Sequence, residues 1–142
     1  VSTERPVPRP QGDYVPAVFH SGLVHTAGMT PRIDGLLAFS GRVGEELDVA
    51  RAGHAAALAA QNALAAAVSV APAGAELRCL KMTVFIACSA EFTALSQVAD
   101  AASRTLVATL GERGRPARSA IGVRALPSGA PVEVELVCAA PA

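Results

Sequence analysis

An arginine among very small residues, followed at short range by two glutamates, is the grouping in this sequence best suited to chemistry. The stretch Arg115-Pro116-Ala117-Arg118-Ser119-Ala120-Ile121-Gly122-Val123 reads as a strand, along which side chains alternate between faces. Arg118, Ala120 and Gly122 then share one face, and Ser119, Ile121 and Val123 the other. A long cation beside two small side chains leaves an opening in front of the guanidinium. A partly buried guanidinium needs an anion to meet it, and its planar fork suits a carboxylate, which it binds bidentately. Downstream, Val132-Glu133-Val134-Glu135-Leu136-Val137 alternates apolar and acidic residues. Folded back as a hairpin, it brings Glu133 and Glu135 to the Arg118 face. A four-residue turn over 125–128 pairs Ala120 with Glu133 and Arg118 with Glu135. A six-residue turn shifts every pairing by two and keeps the faces; in the first register Glu133 is a diagonal neighbour of Arg118, on the order of 7 Å away, with room for a small carboxylate ligand between them. An ordinary exposed ion pair between Arg118 and Glu135, contributing ~0–1 kcal/mol and no function, accounts for the same pattern.

The remaining reactive side chains form weaker groups. His20, His25 and His54 share no metal-ligand spacing, so no metal is expected. Ser119 has no His–Asp arrangement near it that would make it a nucleophile. Gly41-Arg42-Val43-Gly44 is a poor phosphate cradle and reads as a turn. Cys79, Cys88 and Cys138 are odd in number and widely spaced, without a C-x-x-C pair. They read as small buried apolar residues of a protein in a reducing cytoplasm.

Composition sets the frame for these residues. The chain has 142 residues, one domain's worth, with 51% hydrophobic and 17% charged residues. That balance excludes disorder and predicts more apolar surface than a small monomer hides, hence an oligomer. Twelve basic residues match twelve acidic ones and aromatics are only 4%, which argues against nucleic acid as a partner. No apolar stretch is long enough to span a membrane, and the N-terminus carries no signal-peptide core.

The elements that must position Arg118 follow from periodicity. Residues 1–13, with three prolines, read as an extended arm, and 14–142 as the domain. Short strands are expected over 14–19, 23–27 and, less regularly, 36–39. Asp48 is placed to cap a helix beginning at Val49 and ended by Pro72 and Gly74. Its Ala52, Gly53, Ala56, Ala60, Ala63 and Ala67 recur at helical spacing. A strand over 77–87 is apolar on both faces, so both are expected to be covered. A second helix is expected over 91–110, with Phe92, Leu95, Val98, Ala99, Ala102, Leu106 and Leu110 on one stripe. A final β-hairpin closes the chain, giving the order β-β-(β)-α-β-α-β-β. That order predicts an α+β domain, a mixed sheet with both helices on one face, and an uncovered second face.

At the residue level the sequence resembles the RidA/YjgF family of reactive-intermediate deaminases. The C-terminal segment Pro116-Ala117-Arg118-Ser119-Ala120-Ile121-Gly122-Val123, then Leu126-Pro127 and Val132-Glu133-Val134-Glu135, carries the resemblance. Gly28, Pro31, Gly35, Gly41-Arg42-Val43-Gly44, Asn62-Ala63-Leu64 and Lys81-Met82-Thr83-Val84-Phe85-Ile86 add to it. The resemblance implies a chorismate-mutase-like fold and a homotrimer whose sheets form a central barrel, with ligand sites in the clefts between subunits. It implies hydrolytic deamination of reactive 2-imino or enamine acids to 2-oxo acids and ammonia, without metal or cofactor. Arg118 would hold the substrate carboxylate, Glu133 would orient or activate water, and Tyr14 would line the cleft. Ala120 stands where family members often have Cys, and Ser96 where they often have Asn, so both belong to the expected pocket. The segment from Gly114 to Val123 looks closer to a less characterised subgroup that retains the arginine, and the two changes alter the pocket. They also leave open a non-catalytic protein that binds a small carboxylate such as a 2-oxo acid, or a relative processing the imine of one pathway.

Overall fold

The computed structural model describes residues 5–141, so residues 1–4 of the expected arm, and residue 142, lie outside the described residues. Along residues 5–16 no helix or strand forms. The chain then runs β1 (Ala17–His20), β2 (Leu23–Thr26), β3 (Arg32–Ile33), β4 (Leu36–Leu37), α1 (Val49–Val70), β5 (Arg78–Ala87), α2 (Leu95–Leu110), β6 (Ala117–Val123) and β7 (Val132–Ala139). Five strands form one mixed sheet in the order β1-β2-β7-β5-β6, while β3 and β4 make a separate small hairpin. Both helices pack on one face of the sheet, giving the expected α+β architecture.

Helix α1 begins where the capping signal places it. Asp48 accepts a hydrogen bond from the Arg51 amide at 2.9 Å, satisfying one of the free N–H groups of the first turn. Asp48→Ala is expected to lower stability by about 1 kcal/mol, measurable as a shifted urea midpoint with unchanged slope. The inner face of α1 is almost entirely alanine, with Ala52, Ala55, Ala56, Ala59, Ala60, Ala63, Ala66 and Ala67 fully buried. Such small side chains let the helix axis lie close to both the sheet and α2. Asn62 is buried among them and donates to the backbone oxygens of Thr30 and Arg32, both at 3.0 Å, which fixes the loop leading into β3.

Helix α2 starts four residues later than its apolar stripe suggests. Residues 89–92 form a turn, closed by the Phe92 amide on the Ser89 oxygen at 3.1 Å, and 93–94 are irregular. Phe92 still packs against the core from that turn. The stripe itself holds: Val98, Ala99, Ala102, Leu106 and Leu110 are buried. Gly111 ends the helix at φ 67°, a conformation that glycine adopts without penalty.

The final hairpin is not formed. Strand β6 pairs parallel with β5, and β7 pairs antiparallel with both β5 and β2, so β5 lies between β6 and β7. Two physical reasons account for the correction. The α2 crossover is long enough to bring β6 back parallel to β5. The alternation Val132, Val134, Leu136, Cys138 on β7, all buried, demands a central strand beneath α1 rather than an edge. The eight residues 124–131 then have only to cross one strand, on the order of 10 Å.

Among the described residues, cover is supplied to one sheet face only. Cys79, Met82, Val84 and Ile86 of β5 lie under the helices. On the opposite face, Val18, Leu23, His25, Lys81, Phe85, Ile121 and Val137 are at least partly open to solvent. The expected cover on both faces of β5 is therefore supplied on one side alone within the chain.

The three cysteines are free and buried, as their type predicts. Their sequence separation conceals one contact. Cys79 and Cys138 stand opposite one another on β5 and β7, with Sγ atoms 3.7 Å apart. The Cys138 thiol is pushed strongly upward in pKa by its hydrogen bond to Cys79 and by burial, so it holds its proton.

Candidate ligand-binding site

Edge strand β6 presents Arg118 beneath α2. The guanidinium Nη1 donates to Asp100 Oδ1 at 2.7 Å and to Ser103 Oγ at 3.0 Å, while Nη2 donates to Ser96 Oγ at 2.8 Å. Ser96, Asp100 and Ser103 follow at intervals of four and three residues on α2, which sets them on one helix face above the strand. The Arg118 side chain is 19% exposed and that of Asp100 52%. These contacts use three of the five guanidinium N–H donors, leaving the Nε–H and one Nη2–H. A groove of ≈ 610 Å³ lies alongside, lined by Asp100, Ser103, Arg104, Arg115, Pro116 and Arg118 among others.

Ala120 and Gly122 follow Arg118 on the helix-facing side of β6, level with Val84 and Ile86 of β5. They do not leave the opening expected in front of the guanidinium. A Cβ on Gly122 would lie 3.1 Å from Cys88 Sγ and 3.6 Å from Leu95, so small residues here admit the start of α2. Ala120 packs against the same core. Space at Arg118 opens instead toward the groove beyond Asp100 and Ser103.

Glu133 lies elsewhere. Because β6 and β7 both pair with β5, Glu135 is level with Thr83 and Ser119, and Glu133 with Phe85 and Ile121. Both glutamates therefore occupy the open sheet face, opposite the face that carries Arg118. This overturns the shared face expected from a hairpin, together with the Ala120–Glu133 and Arg118–Glu135 pairings. Neither the diagonal pair nor the exposed Arg118–Glu135 ion pair exists within the chain, where Asp100 is the acidic partner of Arg118. Glu133 has its own setting. Its side chain lies over Gly28, where a Cβ would sit 2.5 Å from the carboxyl carbon and 2.7 Å from Cγ. Burial, and then the neighbouring Glu135 charge, raise the Glu133 pKa above the ordinary glutamate value.

Tyr14 is 47% exposed and precedes β1, its hydroxyl accepting from the Gln11 amide at 3.2 Å. Strands β1 and β6 are the two opposite edges of the sheet. Four strand spacings separate them, about 19 Å. Within one chain the fold therefore brings Ser96 to Arg118, keeps Ala120 on the neighbouring strand position, and holds Tyr14 and Glu133 away. Asp100 and Ser103 were not among the expected residues. Their four-and-three spacing from Ser96 was the available signal, since it matches a helix face turned toward a basic strand residue.

The fold and this edge define a small α+β protein with an edge-strand arginine held by polar groups of the second helix. Residues 4–140 match the family model described as Endoribonuclease L-PSP, and the chain belongs to that family, which is the YjgF/RidA family. Protein TCP17 of Trypanosoma cruzi is 36% identical over 129 residues, covering 89% of this chain and 80% of its own. The crystal structure of the protein Atu1372 of Agrobacterium tumefaciens, of unknown function, is 35% identical with a TM-score of 0.85, over 94% of this chain and 86% of that one. The structure of E. coli TdcF with bound serine shares the fold at 23% identity and a TM-score of 0.66, over 100% of this chain and 97% of that one. Among the described residues no helix is long and apolar enough to cross a membrane, and no group of His, Cys, Asp and Glu could hold a metal ion.

Proposed function

We propose that this protein binds small 2-imino or enamine acids through Arg118 and hydrolyses them to the 2-oxo acid and ammonia. The observation that carries it is a guanidinium held by Ser96, Asp100 and Ser103, with two N–H donors not engaged by them, on a residue that lines a groove. A donor pair held in place in this way meets a carboxylate with little further ordering. The ligand carboxylate settles on Arg118, water adds to the C=N carbon, and the tetrahedral adduct expels ammonia and leaves the C=O. Glu133 takes a proton from that water and returns it to the nitrogen as the adduct collapses. No metal or cofactor takes part.

Glu133 and Tyr14 reach Arg118 only across a subunit boundary. The opposite edges β1 and β6, and the open sheet face, are what a ring of subunits would bring together. A homotrimer with its sheets around a central barrel and three clefts between subunits accommodates both. The domain over 14–142 forms its body, with 1–13 as an arm. Light scattering should give three times the chain mass. Cytoplasmic conditions would keep the three thiols reduced, and the zero net charge leaves small acids rather than nucleic acid as ligands.

The test is a coupled assay in which an amino-acid oxidase generates 2-imino acids and their decay is followed with and without the protein. Accelerated decay of 2-iminopropanoate is expected, and unchanged decay across several imino acids would overturn the assignment. A second reading, a non-catalytic 2-oxo acid binder, is favoured by Ala120, which offers no reactive group beside Arg118, and by the absence of Glu133 from the Arg118 face. Binding of pyruvate without any acceleration would select it.

The raised pKa of Glu133 gives a pH dependence with a defined sign. Glu135, two residues along its own strand, is the charged group that acts on it. As a base it must be ionised, so activity falls as pH drops through a value above the ordinary glutamate range, and Glu133→Gln removes this limb. For stability the folded state holds the proton more tightly than the unfolded chain. The contribution is thus fully present below the unfolded pKa and is lost as pH rises through the folded pKa. Glu133→Gln should therefore raise the Tm at neutral pH relative to the parent and leave it unchanged at pH 3.

A further inference from the structure

We infer that Asp100 selects ligands carrying a positively charged nitrogen next to their carboxylate, the iminium form of an imino acid or an α-amino acid, over plain 2-oxo and 2-hydroxy acids. The inference rests on the reading of Arg118 as the carboxylate grip and adds to it the group that meets the other end of the ligand. Asp100 is an unusual neighbour for such a grip. It places a carboxylate, through Oδ1 at 2.7 Å, on the same guanidinium that would receive the ligand's. An aspartate there makes the site less attractive to a simple anion. It becomes an asset when the ligand brings a cation.

The geometry supports the second role. Asp100 Oδ1 is taken by Arg118, while Oδ2 makes no hydrogen bond to the described residues, and the side chain is 52% exposed at the groove. On Arg118 the free donors are the Nε–H and one Nη2–H, after Asp100, Ser103 and Ser96 have taken three of the five. Arg118 and Asp100 line one groove, Arg118 with two N–H donors still available for a carboxylate and Asp100 with a carboxylate oxygen that makes no hydrogen bond to the described residues and can receive a cationic N–H. An amino or iminium acid presents that complementary pair on adjacent carbons. Arg104 and Arg115 line the same groove; with Arg115 paired to Glu112 at 3.0 Å, three arginines against two carboxylates leave +1, and anionic ligands are still drawn in. Ser96 and Ser103 hold the guanidinium on their own account, so Arg118 does not depend on Asp100 alone for its placement.

For imine hydrolysis the same contact has a chemical consequence. A carboxylate facing the nitrogen favours the protonated iminium, whose C=N carbon is the more electrophilic, so water adds more readily. Asp100 would thus favour the reactive ionic form of the substrate and the ammonium form of the leaving group.

The experiment is a pair of isothermal titrations with L-alanine and L-lactate, which differ in carrying an ammonium or a hydroxyl beside the same carboxylate. The parent protein, Asp100→Asn and Arg118→Ala are compared. Asp100→Asn is isosteric at a half-exposed site, and circular dichroism confirms its fold. It is expected to weaken alanine by about tenfold or more, the size of a charge-assisted hydrogen bond, while lactate is unchanged or tighter. Equal weakening of both ligands would mean that Asp100 merely positions Arg118 and would overturn the proposal alone. Unchanged alanine affinity would do the same. An Arg118→Ala variant that keeps the parent's lactate affinity would overturn the Arg118 reading and this inference with it.

Discussion

Arg118→Ala is expected to lower kcat/KM for 2-iminopropanoate by a factor of about 30 to 1000 while leaving the fold intact. A guanidinium that receives a carboxylate in a partly desolvated groove is worth about 2–4 kcal/mol when truncated, which converts to that factor. The loss should fall on substrate capture and on orientation of the C=N carbon together, so KM rises and kcat falls. Arg118→Lys keeps the charge but not the fork, and cannot serve Ser96, Asp100, Ser103 and a ligand at once. An intermediate loss is expected for it. Stability should change little, because the ion pair that is lost joins a mostly covered arginine to a half-exposed aspartate that water can rehydrate. A surface-type pair of this kind contributes about 1 kcal/mol or less. A thermal scan showing cooperative unfolding within a few degrees of the parent, alongside the kinetic loss, separates a site defect from a folding defect. Unchanged kcat/KM would remove Arg118 from the chemistry.

How far such a site can be read from sequence depends on which part is local. The capping of α1 by Asp48, the alanine face behind it and the α2 stripe are set by spacing within one helix, and the structure keeps them. The grouping of Arg118, Ala120 and Gly122 on one face, and of Glu133 and Glu135 on another strand's face, is likewise local and correct. The relation between those two faces is not local. It depends on whether β6 and β7 pair with each other or flank β5, and a short turn-rich linker over 124–131 is compatible with both. A hairpin would set Glu133 beside Arg118, whereas the β5 register sets it on the other side of the sheet. The partners that do hold Arg118 come from α2, across the crossover. Ser96 is legible through family resemblance, whereas Asp100 and Ser103 require the knowledge that α2 lies over β6. Tyr14 is expected in a cleft only through the resemblance, and within the chain it precedes the edge strand farthest from Arg118.

The same crossover makes Gly114 the position where the fold and the site are most tightly joined. Residues 111–114 form a single 3-10 turn that leads from the end of α2 back beneath it and into β6. Gly114 is buried, and a Cβ there would lie 2.6 Å from the Leu106 carbonyl carbon and 3.1 Å from the Val107 amide nitrogen. The atoms in its way are helix backbone, so no rotamer change relieves the clash. Either the last turn of α2 deforms or the 111–116 segment swings outward. Gly114→Ala is therefore expected to lower stability by about 3 kcal/mol, at the upper end of overpacking effects, and Tm by roughly 10 °C for a chain of this size. At Gly74, by contrast, an added Cβ would meet nothing within 4 Å. At φ 77° Gly74→Ala meets only backbone strain, about 1–2 kcal/mol, and serves as the comparison. The outward swing also has a functional signature. Arg118 follows only four residues after Gly114, so displacing the start of β6 moves the guanidinium away from Ser96, Asp100 and Ser103. Well below its own Tm, Gly114→Ala should bind L-lactate more weakly than Gly74→Ala does, although neither residue touches the groove. Equal lactate affinity in the two folded variants would show that β6 is anchored by β5 pairing alone and that the turn beneath α2 plays no part in placing Arg118.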